Sequence, residues 1–259
     1  MPKFAANLTM LFNELPFMQR FEAAAKAGFE AVEYLFPYAY DRKELAAALR
    51  DNGLVQALHN LPAGNWEGGE RGIACHPDRV PEFREGVARA IDYASALGCP
   101  QVNCLLGKLP EAVTAGDARR VVVENLRFAA KELEAAGIRL LIEPVNSFDI
   151  PGFCLTRTDQ ALSLIDEVGS ANLLLQYDIY HAQRMEGELG ATLTKQIARI
   201  GHIQLADNPG RGEPGTGEIN YPWLFRHIDA LGYAGWIGCE YKPRGATVEG
   251  LGWREALTR

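Results

Sequence analysis

Eight short apolar runs in this 259-residue chain end in polar side chains, and the acids among them are residue types that hold a cation or carry a proton. In chain order the ends are Asn7, Glu33, His59 with Asn60, Asn103, Glu143, Asp178, Gln204 with Asp207, and Glu240. A carboxylate taken out of water is costly unless it is paired or bound to a metal. Glu143, Asp178 and Glu240, pointing inward from neighbouring strands, would repel one another. One divalent cation neutralises all three most simply; an Arg or Lys reaching in from a loop is the alternative. With Gln204 the set is entirely oxygen, which suits Mg²⁺ or Mn²⁺ better than Zn²⁺.

His181 follows Asp178 in DIYH, where it either hydrogen-bonds a substrate oxygen and orients a metal ligand, or serves as a capping or core histidine. His202 shares the facing of Gln204 one layer deeper, and His59 ends the third run; both are candidates for touching substrate. His76 and His227 read as surface residues. The stretch NLPAGNWEGGERGIA, with Trp66, Glu70 and Arg71, reads as a lid that dries the site. The stretch DNPGRGEPGTGEINY carries Arg211 and Glu213, and its composition equally fits a structural loop. Lys108 and Lys242 are either partners for a substrate carboxylate or solvated.

The runs that must position these groups begin at Phe4, Glu30, Val55, Gln101, Arg139, Leu173, His202 and Trp236, and each is too short for an independent helix. Between them lie segments with helical spacing, such as EFREGVARAIDYASAL and ARRVVVENLRFAAKELEAA. Gly28, Gly53, Gly98, Gly137, Gly169, Gly201 and Gly232 are predicted to end helices in the left-handed conformation. Strand and helix alternation of this kind predicts a single α/β domain over residues 1–259, a (β/α)8 TIM barrel closing with a short helix from about Leu251. An open doubly wound sheet is the alternative, but no G-x-G-x-x-G follows the first strand. In a barrel of this type the strand ends share one mouth, where the active site lies.

The net charge of −7, with scattered Lys and Arg, argues against a nucleic-acid partner and leaves room for a small anionic substrate. The apolar runs fall far short of the roughly 20 residues that span a bilayer, and MPKFAANLTM lacks a signal pattern, so no membrane partner and a cytoplasmic location are expected. Five cysteines without C-x-x-C spacing read as reduced structural thiols.

The blocks FAANLTMLFNELPF, GFEAVEYLFPY, LHNLPAGNWEGGERGIA, VNCLLGK, LLIEPVNSFDIPGF, QYDIYHAQRMEGEL, HIQLADNPGRGEPGTGEINY and GCEYKP run nearly end to end. Together they resemble the hydroxypyruvate isomerases, a branch of the xylose-isomerase-like barrel superfamily that also contains sugar 3-epimerases and endonuclease IV. The resemblance implies a metal held by Glu143, Asp178, Gln204 and Glu240, with Glu143 and Glu240 also moving the proton. Gln204 stands where the epimerases have histidine. The implied reaction interconverts hydroxypyruvate and 2-hydroxy-3-oxopropanoate through an enediolate, with Mg²⁺ or Mn²⁺ as Lewis acid. A 2-oxotetronate isomerase is the nearest rival, a ketose 3-epimerase is disfavoured by Gln204, and a nuclease is disfavoured by Asn103, Gln204 and the charge. The resemblance also points to a homo-oligomer acting on a small 2-oxo acid.

Overall fold

The computed structural model describes residues 2–258, so the two terminal residues of the expected 1–259 domain lie outside the described residues. Eight parallel strands form a closed barrel in chain order: β1 (Lys3–Asn7), β2 (Ala31–Glu33), β3 (Val55–Asn60), β4 (Gln101–Cys104), β5 (Arg139–Ile142), β6 (Leu173–Asp178), β7 (Ile200–Leu205) and β8 (Trp236–Cys239). β1 pairs with both β2 and β8, which removes the free sheet edge. The open-sheet alternative is thereby excluded.

Nine helices of the described residues surround the barrel: α1 (Arg20–Lys26), α2 (Arg42–Asp51), α3 (Val80–Leu97), α4 (Ala115–Ala135), α5 (Thr158–Val168), α6 (Ile179–Met185), α7 (Leu189–Gln196), α8 (Tyr221–Ala230) and α9 (Trp253–Ala256). Their apolar stripes explain the packing. In α3 the buried residues Phe83, Val87, Ala90, Ala94 and Leu97 recur every three or four positions, which puts them on one face. Gly98 then ends α3 at φ +62°, a conformation that costs a residue with a Cβ. None of these described helices is long and apolar enough to cross a membrane.

Six of the seven expected helix-ending glycines adopt positive φ; Gly201 does not. It lies inside β7, where an added Cβ would meet the Leu141 and Leu174 side chains. Close strand packing, not helix termination, accounts for that glycine. β7 accordingly begins two residues earlier than the expected run at His202.

Small side chains fill the lower barrel. Ala5, Ala31 and Ala57 from the first three strands pack together with Trp236 against them. At the opposite end the loops after β3, β4 and β5 are stitched to one another by antiparallel bridges, Gly72 with Leu106 and Lys108 with Phe153. Backbone hydrogen bonds from Cys75 N to Leu106 O and from Cys154 N to Gly107 O, both 3.0 Å, extend the seam. All five cysteines are free.

Candidate active site

Six strand-end residues expected at the mouth do line one cavity there: Asn7, Glu33, Asn60, Glu143, Gln204 and Glu240. Asp178 stands beside them. It ends β6 and caps α6, its Oδ1 accepting the backbone N–H groups of Tyr180 at 2.7 Å and His181 at 3.3 Å. Capping occupies one oxygen and leaves Oδ2 buried, with no hydrogen-bond partner among the described residues. Glu143 directly follows β5, and Asn103 Nδ2 donates to its Oε2 at 3.0 Å.

Charge repulsion is severe in this arrangement. Burial, reinforced by Glu240 and Asp178, pushes the Glu143 carboxyl well above the usual carboxylate range against the opposing pull of Arg211. The Glu240 carboxyl is pushed up to about 8, by burial first, with Arg211 opposing and Asp178 and Glu33 adding to the rise. Arg211 lies in the loop after β7 at φ +59°, and its Nη2 reaches Glu240 Oε2 at 2.7 Å and Asp178 Oδ2 at 3.5 Å. Burial disfavours its charge, but the three carboxylates outweigh that and raise its pKa. The loop counter-ion weighed as an alternative to a metal is therefore present, and it comes from a segment whose composition looked equally structural.

Donor atoms of Glu143, Asp178 and His181 lie within 4.8 Å of one another, close enough to share a cation. The hydrogen bonds of His181 argue for a different use of its ring. Asn146 Oδ1 accepts the N–H groups of Phe148 and Asp149, at 3.1 and 2.9 Å, which fixes its Nδ2 as the atom 2.6 Å from His181 Nδ1. Nδ1 is then an acceptor and Nε2 carries the hydrogen. That Nε2–H faces Asp178 Oδ2 at 3.6 Å and Glu143 Oε1 at 4.0 Å, as a donor. Burial pulls the ring's pKa down to about 4, with Asp178 pulling the other way, so the ring is neutral at neutral pH.

Gln204 presents its Nε2 to Glu33 Oε1 at 2.7 Å and its Oε1 to Gln176 Nε2 at 2.6 Å. His202 Nε2 lies 2.6 Å from Glu33 Oε2, so this histidine engages Glu33. The other residues expected to touch substrate have protein partners of their own. His59 turns to Tyr38, while its strand neighbours Leu58 and Asn60 line the mouth. Glu70 accepts from Asn65 N and pairs with Arg79. Arg71 lies over the Trp66 ring at 4.1 Å, and Trp66 meets Phe36 edge-on at 5.0 Å. Lys108 sits in the loop seam, its carbonyl 3.2 Å from Cys75 Sγ. Asp207 organises the Arg211 loop by accepting from Asn208, Gly215 and Ile219 N–H groups. A larger cavity, about 470 Å³, opens between α4, α5 and the loop seam, but it is mainly apolar and contains none of the strand-end acids.

The barrel, its strand-end acids and their buried mouth match one known architecture: a model for the xylose isomerase-like TIM barrel fits residues 21–257. The chain belongs to that family. Within it, the chain is 58% identical over 255 residues to the hydroxypyruvate isomerase of Escherichia coli K12, covering 98% of this chain and 99% of that protein. It is 49% identical to a 2-oxo-tetronate isomerase of Cupriavidus necator, over 98% and 97% of the two chains. Among solved structures, one described as an AP endonuclease of family 2 from Brucella melitensis superposes with a TM-score of 0.96 at 43% identity, covering 99% of both chains.

Proposed function

We propose that the chain is a hydroxypyruvate isomerase, interconverting hydroxypyruvate and 2-hydroxy-3-oxopropanoate, with residues 1–259 acting as one catalytic domain. The observation that carries this reading is the buried pair Glu143 and Glu240 flanking Asp178 at one barrel mouth, in a chain 58% identical to an E. coli enzyme of that name.

Glu143, Asp178, Gln204 and Glu240 would hold a divalent cation, Mg²⁺ or Mn²⁺; the Oδ2 of Asp178, buried without a hydrogen bond, and the mutually repelling acids fit such an ion. When bound, the ion supplies a Lewis acid that stabilises negative charge on the enediolate oxygens. One glutamate takes the proton from C3 of hydroxypyruvate and the other delivers a proton to C2, while the hydroxyl proton moves from the C3 oxygen to the C2 oxygen. In the metal-free protein burial holds the Glu240 carboxyl up, and a bound cation would lower it, so that the carboxylate form needed to take a proton is favoured when the site is loaded. His181 Nε2–H donates to a substrate oxygen, and Arg211 supplies a cation for the substrate carboxylate. His202 reaches the mouth through Glu33, while Tyr38, Arg79, Trp66 and Cys75 hold His59, Glu70, Arg71 and Lys108 as further candidates for shaping the substrate pocket. We further infer a homo-oligomer in the cytoplasm, with no nucleic-acid or membrane partner.

Steady-state turnover of purified protein on hydroxypyruvate and on 2-oxotetronate, each with Mg²⁺ and with Mn²⁺, tests the reading. The expected result is the higher kcat/KM on hydroxypyruvate. A reversed order would make the chain a 2-oxotetronate isomerase, the reading favoured by its 49% identity to the C. necator protein. The likeness to a structure described as an endonuclease motivates a third assay. The net charge of −7 and the amides Asn103 and Gln204 oppose that reading; incision of abasic DNA would overturn this rejection.

A further inference from the structure

We propose that Glu33 is a positioning residue for the cation site, fixing the Gln204 amide so that its nitrogen faces Glu33 and its oxygen is turned into the mouth toward Gln176. The inference rests on the reading of Gln204 as a ligand given above.

An amide has two ends of similar size and opposite hydrogen-bonding character, so a glutamine ligand serves only if something selects the oxygen. Glu33 makes that selection. It is 1% exposed, and three N–H groups converge on it: Asn7 Nδ2 at 2.9 Å, Gln204 Nε2 at 2.7 Å and His202 Nε2 at 2.6 Å. A carboxylate can only accept from such neighbours, so the nitrogen end of Gln204 must point to it. The oxygen end is thereby turned to Gln176 Nε2 at 2.6 Å, on the strand next to the one that Glu143 follows. A chain of hydrogen bonds thus runs across the mouth from Glu33 on β2 through Gln204 on β7 to Gln176 on β6.

The fold makes room for this carboxylate. Gly238 of β8 lies against it, and a Cβ there would collide with both Glu33 oxygens. Asn7 and Glu33 are register partners on β1 and β2, and Gln204 and Gly238 are partners on β7 and β8. The same geometry explains an amide at position 204, since a glutamate there would set a second carboxylate against Glu33. Residues that hydrogen-bond a metal ligand typically contribute about 10–100-fold to metal affinity.

The test is Mn²⁺ affinity, read by electron paramagnetic resonance of the free ion during titration of wild type, Glu33→Gln, Glu33→Leu, Gln204→Ala and the Glu33→Leu/Gln204→Ala double variant. Glu33→Leu is expected to weaken Mn²⁺ binding about tenfold or more, within the range given for such partners. Glu33→Gln keeps an acceptor oxygen and should retain most of the affinity. In the Gln204→Ala background, Glu33→Leu should add less than about a twofold loss, because the residue it acts through is gone. Equal losses in Glu33→Leu and Glu33→Gln would overturn the proposal in favour of a charge effect. Equal losses with and without Gln204, or no loss in Glu33→Leu, would overturn it outright. If the leucine variant does not fold, Glu33→Thr takes its place in the same cycle. Absence of Mn²⁺ binding by the wild type would overturn the metal reading and this one together, whereas wild-type binding unaltered by Glu33→Leu overturns this one alone.

Discussion

Arg211 Nη2 lies 2.7 Å from Glu240 Oε2, so a loop, not a strand, supplies positive charge to the strand-end acids. Replacing it with Met leaves Glu143, Asp178 and Glu240 without that counter-charge. Removing one partner of a buried ion pair typically costs about 3–5 kcal/mol. Urea unfolding of Arg211→Met in EDTA should show a loss of that order, largely reversed by added Mn²⁺. Equal stability of variant and wild type in EDTA would remove the counter-ion role.

Glu143→Gln and Glu240→Gln keep the shape of each side chain and delete its ability to take a proton. Each should lower kcat by about 10²–10⁴-fold, the usual worth of a positioned acid or base. Circular dichroism should be unchanged. A variant with near-normal turnover would exclude that glutamate as a proton carrier.

The raised Glu240 carboxyl has a pH consequence for the metal-free protein. Its folded pKa, about 8, lies above the unfolded value, so the folded state holds the extra proton and stability falls as pH rises toward 8. Burial holds the His59 and His181 pKa values near 4, and above about pH 7 both rings are largely neutral folded and unfolded, so they contribute little there. The thermal midpoint in EDTA should therefore drop between about pH 7 and about pH 8.5; Glu143, raised in the same direction, adds to the fall, so Glu240→Gln should reduce the drop without abolishing it. A flat wild-type profile would contradict the assignment.

Asn146 holds the His181 ring with Nδ1 as acceptor. The ¹⁵N chemical shifts of His181 should report the Nε2–H tautomer in the wild type and a mixture in Asn146→Ala. Turnover of that variant should fall about tenfold, on the scale of a lost hydrogen bond of roughly 1.4 kcal/mol. An Nδ1–H signal in the wild type would refute the arrangement.

Gly238→Ala places a methyl group where the Glu33 carboxylate lies. Overpacking of a tight interior costs about 1–3 kcal/mol, which denaturant unfolding would detect. Shortening the other side, in Gly238→Ala/Glu33→Ala, should recover part of the packing loss.

The residues that disclosed the fold are those whose signals are local. β3 and β6 occupy the expected runs from Val55 and Leu173 because branched and apolar residues there are bounded by clear turns. Gly201 misled because a glycine before a strand and a glycine within one look alike until Leu141 and Leu174 are known to press on it. At the site, Glu143, Asp178, Gln204 and Glu240 were legible as polar ends of apolar strands. The facing of His59 was not: it depends on register, and Leu58 and Asn60 took the mouth-facing positions. Glu33 was visible as a strand end but had no assignable task, since its partner Gln204 is 171 residues away. Gln176 went unremarked inside LLLQYD, although an amide two residues before Asp178 on the same strand face was a usable signal.

The seam joining the loops after β3, β4 and β5 bears on how such a barrel is recombined or diversified. Gly72 pairs with Leu106 and Lys108 with Phe153, so each loop is half of a bond made by another. A chimaera that imports one of these loops from a relative inherits unmatched backbone donors and acceptors at the graft. Importing all three as a block preserves these pairings, and the Arg211 loop after β7 is tied in the same way to the segment after β8, Lys242 N donating to Arg211 O at 2.7 Å and Arg244 N to Glu213 Oε1 at 2.8 Å. Substrate range should therefore shift by exchange of these two blocks, not of single loops.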